Sequence, residues 1–212
     1  MVSDCTLCPR LHALREENNQ KWPDWHNAPV GSFGPLSALL LVVGLAPGLR
    51  GANRTGRPFT GDYAGLVLYP ALIKHGFGTG IFDGDPDDNV EFQHVRITNA
   101  VRCLPPENKP TGQEINNCRP FLMQEIAAMS QLHTVLALGT VAHQTILRTF
   151  GCAVKNYPFK HGAWHKLPNG LFMADSYHCS RYNINTGRLT FKMFDDVIAV
   201  VAARINVPKC IL

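Results

Sequence analysis

Four runs of apolar or β-branched residues divide the chain into alternating segments. They occupy residues 38–43, 95–101, 134–138 and 171–174, and each is short enough to be a buried strand. Segments with helical spacing of their apolar positions lie between them. Such alternation is typical of a parallel sheet whose crossover helices cover both faces. We therefore predict an α/β fold, a three-layer α/β/α sandwich with a central, mainly parallel sheet of four strands.

Polar residues mark the expected helix ends. Thr111, followed by Glu114, has the spacing of a capping box. Thr140 is expected to cap a helix that ends near Phe150, and Thr190 to cap the last helix. These starts fall between the predicted strands, as the α/β pattern requires.

Composition sets broad limits on the class of protein. The chain has 212 residues, 45% of them hydrophobic and 17% charged, which is enough for one core, so a single domain spanning 1–212 is expected. No apolar run has the length of a membrane-spanning helix, so we expect no membrane partner and a cytoplasmic protein. The net charge of +4 permits DNA binding without requiring it.

Seven cysteines without an export signal favour metal ligands or buried thiols over disulfides. Four of them come from three segments whose ends can meet: Cys5, Cys8, Cys103 and Cys118. Four thiolates suit either tetrahedral zinc or an iron-sulfur cluster, and their spacing does not choose between the two. The remaining three, Cys152, Cys179 and Cys210, are expected to be free thiols.

The loops after the strands carry the candidate chemistry, because ligands of open parallel sheets bind at the carboxyl ends of strands. The first loop, 44–62, combines glycines with three arginines. It lacks the ending of a Walker loop and the spacing of a dinucleotide-binding fingerprint. Its glycines would let backbone amides approach a ligand, and its arginines suit phosphates.

Five motifs in this order resemble the family 5 uracil-DNA glycosylases, an iron-sulfur branch of the uracil-DNA glycosylase superfamily. The resemblance covers nearly the whole chain. It rests on CTLCPRL at 5–11, the loop from GLAPG to TGD at 44–62, ITNAVRCLPPENKPT at 97–111, CRP at 118–120, and SYHCSRYNINTGRLT at 176–190.

The resemblance implies a DNA-repair enzyme that hydrolyses the N-glycosidic bond of uracil in DNA and leaves an abasic site. Hypoxanthine and xanthine are further candidate substrates. It also implies that the four ligand cysteines hold one 4Fe-4S cluster with a structural role. Uracil-containing DNA, single or double stranded, is the expected partner, and the expected protein is a monomer of bacterial or archaeal type associated with the nucleoid.

Two residues match the catalytic positions of the family. Asp62 corresponds to a carboxylate that would activate water, and it also precedes an apolar run as a helix cap would. His178 corresponds to a histidine that would donate a hydrogen bond to uracil O2 as charge develops there. The alternative for His178 is a histidine satisfied by backbone at a strand end.

Base recognition is assigned to three kinds of residue. Phe59 matches the aromatic side chain on which the family stacks the flipped uracil, with a core phenylalanine as the alternative. Asn99 and Asn108 carry amides that suit the uracil edge, and we hypothesise that Asn99 favours uracil over hypoxanthine. Backbone contacts to the base are implied for the first motif, at Gly44, Ala46 and Gly48.

DNA phosphates are expected to meet basic side chains around the same loops. The main candidates are Arg50, Arg54, Arg57 and Arg181, with Arg102, Lys109 and Arg188 as further candidates. Loop 179–181 is implied to press on the minor groove. Two other functions stay open, namely a zinc- or cluster-bearing DNA-binding repair module without glycosylase activity, and an α/β enzyme acting on a free base or nucleotide.

Overall fold

A computed structural model describes residues 4–207 of the chain. Its central sheet has five strands in the order β4-β1-β5-β7-β6. These strands are β1 (Leu40–Gly44), β4 (Val95–Asn99), β5 (Thr134–Leu138), β6 (Trp164–Lys166) and β7 (Phe172–Ser176). Strands β4, β1, β5 and β7 pair in parallel, whereas β6 joins β7 antiparallel. A separate hairpin pairs β2 (Gly78–Thr79) with β3 (Glu91–Phe92).

Helices lie on both sides of this sheet. They are α1 (Pro9–Lys21), α2 (Ala52–Thr55), α3 (Tyr63–Lys74), α4 (Gly112–Ala128), α5 (Thr140–Thr149), α6 (Arg181–Asn185) and α7 (Phe191–Arg204), with short 3-10 turns at Pro106–Asn108 and Val154–Asn156. The predicted three-layer fold with a mainly parallel sheet is confirmed. The predicted count of four strands is wrong, because the short edge strand β6 adds a fifth.

Successive residues of β1 supply two separate cores. Leu40 and Val42 pack into the cluster that α3 and α7 cover, whereas Leu41 and Val43 pack into the cluster that α4 and α5 cover. Side chains of a strand point alternately to opposite faces, so a strand buried on both sides must be apolar throughout. This requirement explains why the strand appears in the sequence as an unbroken apolar run.

The helix caps follow the sequence with one exception. Thr111 and Glu114 form the predicted capping box, and the Thr190 side chain accepts a hydrogen bond from the amide of Met193. The expected cap at Thr140 is wrong. Gly139 occupies the N-cap position with φ of 93°, a left-handed conformation that favours glycine, and Thr140 is the first helical residue.

No helix within residues 4–207 has both the length and the apolar character needed to cross a membrane.

Thr111 and Thr140 give a matched test of the helix starts assigned to α4 and α5. Thr111→Ala removes the side-chain cap of α4 and should lower the free energy of unfolding by about 1 kcal/mol. Thr140→Ala removes no cap and should change it by less than about 0.5 kcal/mol. Urea denaturation of both variants measures the difference. Equal losses in the two variants would contradict the assigned helix starts.

Candidate active site

The ends of β1 and β4 form the floor of the candidate site. Gly44 is the parallel partner of Asn99, and the backbone continues the pairing as the amides of Ala100 and Val101 donate to the carbonyls of Gly44 and Leu45 at 2.9 and 3.0 Å. A Cβ at Gly44 would lie 2.4 Å from Asn99 Oδ1. Glycine is therefore required here, because any larger residue would collide with the asparagine amide.

Phe59 forms a wall above this floor. Its Cζ would lie 2.4 Å from a Cβ at Gly44, and its ring centroid is 6.1 Å from that of His178. The residue is buried and holds φ of 54°, which is rare for a residue with a side chain. The Tyr69 hydroxyl donates to the carbonyl of Pro58 at 2.8 Å and fixes the preceding residue. Phe59 thus belongs both to the core and to the site, and the sequence alone offered these roles as alternatives.

Arg57 differs from its predicted role as a phosphate contact. Its guanidinium is buried and forms a bidentate ion pair with Asp88, with nitrogen–oxygen distances of 2.8 and 2.6 Å. The guanidinium carbon also lies 5.0, 5.3 and 5.6 Å from the ring centroids of Phe33, Tyr69 and Phe82. These contacts use the charge to hold the Phe59 segment against loop 82–90, so the prediction for Arg57 is corrected.

Asp62 both caps α3 and faces the first loop. One carboxylate oxygen accepts from the amide of Gly65 at 3.2 Å, as a cap does. The other oxygen would lie 2.5 Å from a Cβ at Gly51 and 3.7 Å from one at Gly48. Burial raises the pKa of Asp62, while hydrogen bonds from the amides of Gly65 and Ala64 oppose this shift. Capping therefore leaves one oxygen turned toward the glycine-rich loop.

His178 follows β7 and sits beside Phe59. The Asn183 side chain donates to its backbone carbonyl at 2.8 Å, and the neighbouring Cys179 thiol donates to the carbonyl of Ala64 at 3.6 Å. The first bond ties the segment to α6, and the second ties it to the first turn of α3, next to Asp62. Burial lowers the pKa of His178 to about 4, so its imidazole is neutral at pH 7 and carries a single N–H donor.

The two candidate base-reading asparagines lie in different surroundings. Asn99 is buried at the end of β4, and within residues 4–207 its Oδ1 has no hydrogen-bond partner. An unpaired buried amide oxygen is costly, so a ligand that donates to it would be favoured. Asn108 is exposed on the turn Pro106–Asn108, and the structure does not support a place for it in the pocket wall.

The four predicted ligand cysteines line one small cavity. They are Cys5, Cys8, Cys103 and Cys118, and they meet together with apolar side chains of α1 and α4. The amide of Arg102 donates to Cys118 Sγ at 3.4 Å, and the Asn117 side chain donates to Cys8 Sγ at 3.6 Å. Burial first, and then neighbouring Cys118, raise the pKa of Cys103 to about 12. A cation at this point would offset that cost by stabilising the thiolates.

Ala46 links this cavity to the candidate site. It packs with Val101, Cys103 and Cys118 in a small third core, directly after the β1 end that carries Gly44. The remaining cysteines lie elsewhere: Cys152 is partly buried, Cys179 is buried beneath α3, and Cys210 lies outside the described residues.

Comparison with known proteins agrees with this arrangement. A sequence profile described as "Uracil DNA glycosylase superfamily" matches residues 31–202. The chain belongs to this superfamily.

Individual relatives narrow the family further. The chain is 43% identical over 203 residues to the Type-5 uracil-DNA glycosylase of Thermus thermophilus, covering 93% of this chain and 92% of that protein. It is 39% identical to the Type-5 enzyme of Pyrobaculum aerophilum, with 94% and 88% covered. Similarity to the Type-4 uracil-DNA glycosylase of the same organism is lower, at 32% identity with 71% and 63% covered. The family 5 resemblance is thus confirmed.

Exposed basic side chains of this glycosylase-family protein surround the mouth of the site. Arg50 and Arg54 are exposed on the first loop, and the Arg54 guanidinium lies 3.0 Å from the position of a Cβ on Gly61, next to Asp62. Arg181 is exposed and stacks over the Tyr63 ring at 5.2 Å. Within residues 4–207 these three arginines have no carboxylate partner, although Arg54 Nε donates to the Arg50 carbonyl at 3.0 Å, in contrast to buried Arg57.

The three further candidates for phosphate contacts also divide into exposed and buried side chains. Arg188 is exposed and stacks on Tyr177 at 4.8 Å, and exposed Lys109 pairs with Glu107 at 3.2 Å. Arg102 is buried and ion-paired with Glu125. Like Arg57, Arg102 uses its charge in an ion pair inside the protein. This arrangement does not favour a contact between Arg102 and a DNA phosphate.

The sequence reasoning missed Tyr182. Its side chain is 72% exposed at the start of α6, four residues after His178. Exposure of one ring does not by itself assign a function, but it places this aromatic side chain next to Arg181 in the first turn of α6, which follows the loop after β7.

The protonation of His178 can be tested directly. Nuclear magnetic resonance of ring-labelled protein should show an imidazole that titrates near pH 4 and is neutral at pH 7. The signal is assigned by its absence in His178→Ala. A midpoint at or above the ordinary value of about 6.5 would contradict the burial of this ring.

Proposed function

We propose that this protein excises uracil from DNA by hydrolysing its N-glycosidic bond, leaving an abasic site. One observation carries the proposal: the unpartnered Asn99 Oδ1 lies at the floor of a site that also contains Phe59 and His178. Uracil presents an N3–H donor to such an oxygen, a ring face to an aromatic wall and O2 to a histidine donor. Family membership supports the same activity.

The chemistry assigns one task to each residue. Asp62 accepts a proton from a water molecule, whose oxygen bonds to C1′ of the deoxyribose while the C1′–N1 bond breaks. The electron pair of that bond leaves with uracil, and its negative charge spreads to O2. The neutral imidazole of His178 donates to O2 and stabilises this charge where it develops. Phe59 holds the flipped base by stacking.

The DNA itself would contact the exposed arginines at the mouth. Arg50 and Arg54 precede Asp62, and Arg181 follows His178, so the two segments would suit phosphates on both sides of a flipped nucleotide. We propose that backbone groups of Gly44, Ala46 and Gly48 contact the base. We further propose that residues 1–212 act as one domain and as a monomer in the cytoplasm, and that hypoxanthine and xanthine are weaker substrates than uracil.

We propose that the cysteine cavity holds one 4Fe-4S cluster. A tetrahedral zinc ion with bonds of about 2.3 Å brings its sulfurs to about 3.8 Å from one another. Among the described residues, no three of the four sulfurs lie within 4.8 Å of each other. The choice of a cluster over zinc therefore rests on the family 5 resemblance. Cys5, Cys8, Cys103 and Cys118 would be its ligands, and when bound it would join α1 to the loop after β4.

Asp62→Asn separates catalysis from helix capping. Asparagine caps a helix about as well as aspartate, so stability should be unchanged, but it cannot accept the water proton. Single-turnover release of uracil should fall by about 10²–10⁴-fold. His178→Ala should reduce it by about 10²–10³-fold. Binding of uracil-containing duplex should persist in both variants. A wild-type protein that binds this DNA without releasing base would support the inactive repair module instead.

Asn99→Ala tests base selection. The variant loses the acceptor for uracil N3–H, so excision of uracil should fall by about 10-fold or more, corresponding to about 1.4 kcal/mol. Excision of hypoxanthine should fall less, so that the ratio of the two rates moves toward one. The measurement is single-turnover kinetics on matched oligonucleotides. An unchanged ratio would show that Asn99 has no part in substrate choice.

Metal analysis tests the cluster. Protein purified without oxygen should contain about four iron and four sulfide per chain and no zinc. Cys103→Ser should lose this iron and lower the thermal midpoint. Cys152→Ser, which alters a partly buried cysteine outside the cavity, is the control and should retain it. One equivalent of zinc in place of iron would favour the zinc alternative.

A further inference from the structure

A buried network of three ionisable side chains lies behind the strand that leads to His178. Asp175 on β7 is fully buried, and its two carboxylate oxygens meet two histidines. Its Oδ1 lies 2.7 Å from His143 Nδ1, and its Oδ2 lies 3.0 Å from His165 Nε2. His143 on α5 is also buried, and His165 on β6 is 13% exposed. The three groups therefore join α5, β6 and β7 within the molecule.

The hydrogen-bond partners of His143 lie on two different parts of the chain. Its Nδ1 faces the Asp175 carboxylate, and its Nε2 lies 2.8 Å from the carbonyl oxygen of Tyr157. The ring is therefore held at both nitrogens, between the Asp175 carboxyl group and the Tyr157 carbonyl, while His165 contacts the second oxygen of Asp175. A fully buried carboxylate needs such partners, because an unpaired charge there would be strongly destabilising.

The distances favour a hydrogen-bonded network over a metal site. Nitrogen ligands of a tetrahedral zinc ion lie about 3.3 Å apart when each bond is about 2.0–2.1 Å. The contacts of Asp175 at 2.7 and 3.0 Å are shorter than this and have ordinary hydrogen-bond lengths. No space for an ion remains between atoms in direct contact.

A short chain of contacts connects the network to His178. The amide of His143 donates to the carbonyl of Gly139 at 3.1 Å, and the amide of Gly139 donates to the carbonyl of Ser176 at 2.8 Å. A Cβ at Gly139 would lie 3.5 Å from the Cβ of His178. The backbone at the start of α5 thus packs directly against the base of the His178 side chain, between that residue and the network.

We propose that His143 and Asp175 are positioning residues for His178. Their hydrogen bond fixes the first turn of α5 onto the end of β7, and Gly139 then sets where the imidazole of His178 points. The inference rests on the proposed function, because the position of His178 matters through the departing base. A donor moved by about 1 Å loses much of its effect on the transition state.

A double-mutant cycle tests the route through His178. His143→Leu should slow single-turnover uracil excision by roughly 10- to 100-fold when His178 is present. In the His178→Ala background the same change should slow it by less than about 2-fold, because the group that it positions is gone. His143→Asn, which can still donate to Asp175, should recover part of the rate. Equal slowing in both backgrounds would overturn the proposal and indicate general damage.

A second measurement does not depend on activity. Asp175→Asn removes the charge with little change of shape, and it should shift the ring signals of His178 in a magnetic resonance spectrum. Unchanged His178 signals, or one equivalent of zinc bound through these histidines, would overturn the proposal. A wild type that releases no uracil would instead refute the proposed function, and the ring signals would still decide this inference.

His75 provides the matched control. It pairs with Asp195 at 2.9 Å between α3 and α7, so it is another partly buried histidine–carboxylate contact between two elements. It lies outside the network and the candidate site. His75→Gln should leave both the excision rate and the His178 signals as in the wild type. A response equal to that of Asp175→Asn would show that any such contact affects the ring, which would overturn the specific role.

Discussion

The parallel register of β1 and β4 is the constraint on which the site depends. It places Gly44 opposite Asn99 where both strands end, and the amides after Asn99 continue the pairing along the first loop. A slip of one residue would turn Asn99 to the opposite face of the sheet, toward α4. The two buried faces of β1 prevent such a slip, because both of its alternating sets of side chains are already packed. The floor of the pocket is therefore fixed by core packing and not by the loop.

The wall of the pocket needs additional support. Phe59 holds a left-handed backbone conformation that costs roughly 1–3 kcal/mol for a residue with a side chain. The Arg57–Asp88 pair, the rings around it and the Tyr69 hydroxyl bond all act on the residues next to Phe59. Removal of Arg57 or Asp88 alone would leave the other charge without its partner, at a cost of about 3–5 kcal/mol, so this segment depends on both. A rigid wall of this kind lets a base stack without first ordering the loop.

Local patterns in the sequence were sufficient for much of the fold. Apolar runs located the strands, and the spacing of Thr111 and Glu114 located a helix start, because both signals depend on neighbouring residues. The edge strand β6 was missed, since its three residues are half-exposed and carry no apolar run. The cap at Thr140 was misplaced because a glycine in a left-handed conformation can end a strand and start a helix without any side-chain bond.

Residues of the candidate site could be predicted where a sequence motif contains them. The role of a residue could not be predicted where it depends on a partner that lies far away in the sequence. Arg54 and Arg57 are both arginines of one loop, yet Asp88, far along the chain, buries the second and leaves the first exposed. Asn99 and Asn108 likewise carry the same amide, and only the strand register separates them. The His143–Asp175 pair joins a helix to a strand 32 residues away, and neither residue belongs to a recognisable motif.

The two catalytic candidates respond to burial in complementary ways. Burial raises the pKa of Asp62 and lowers that of His178 to about 4, so in each case it opposes the charged form. Because burial favours the neutral imidazole, His178 can donate a hydrogen bond at pH 7 without carrying a positive charge. In the proposed mechanism Asp62 must be ionised to accept the proton of the attacking water, so the rate should fall as the pH drops through its raised pKa. The acid limb of the pH–rate profile would then belong to Asp62, and the role proposed for His178 is to meet the negative charge of the departing base.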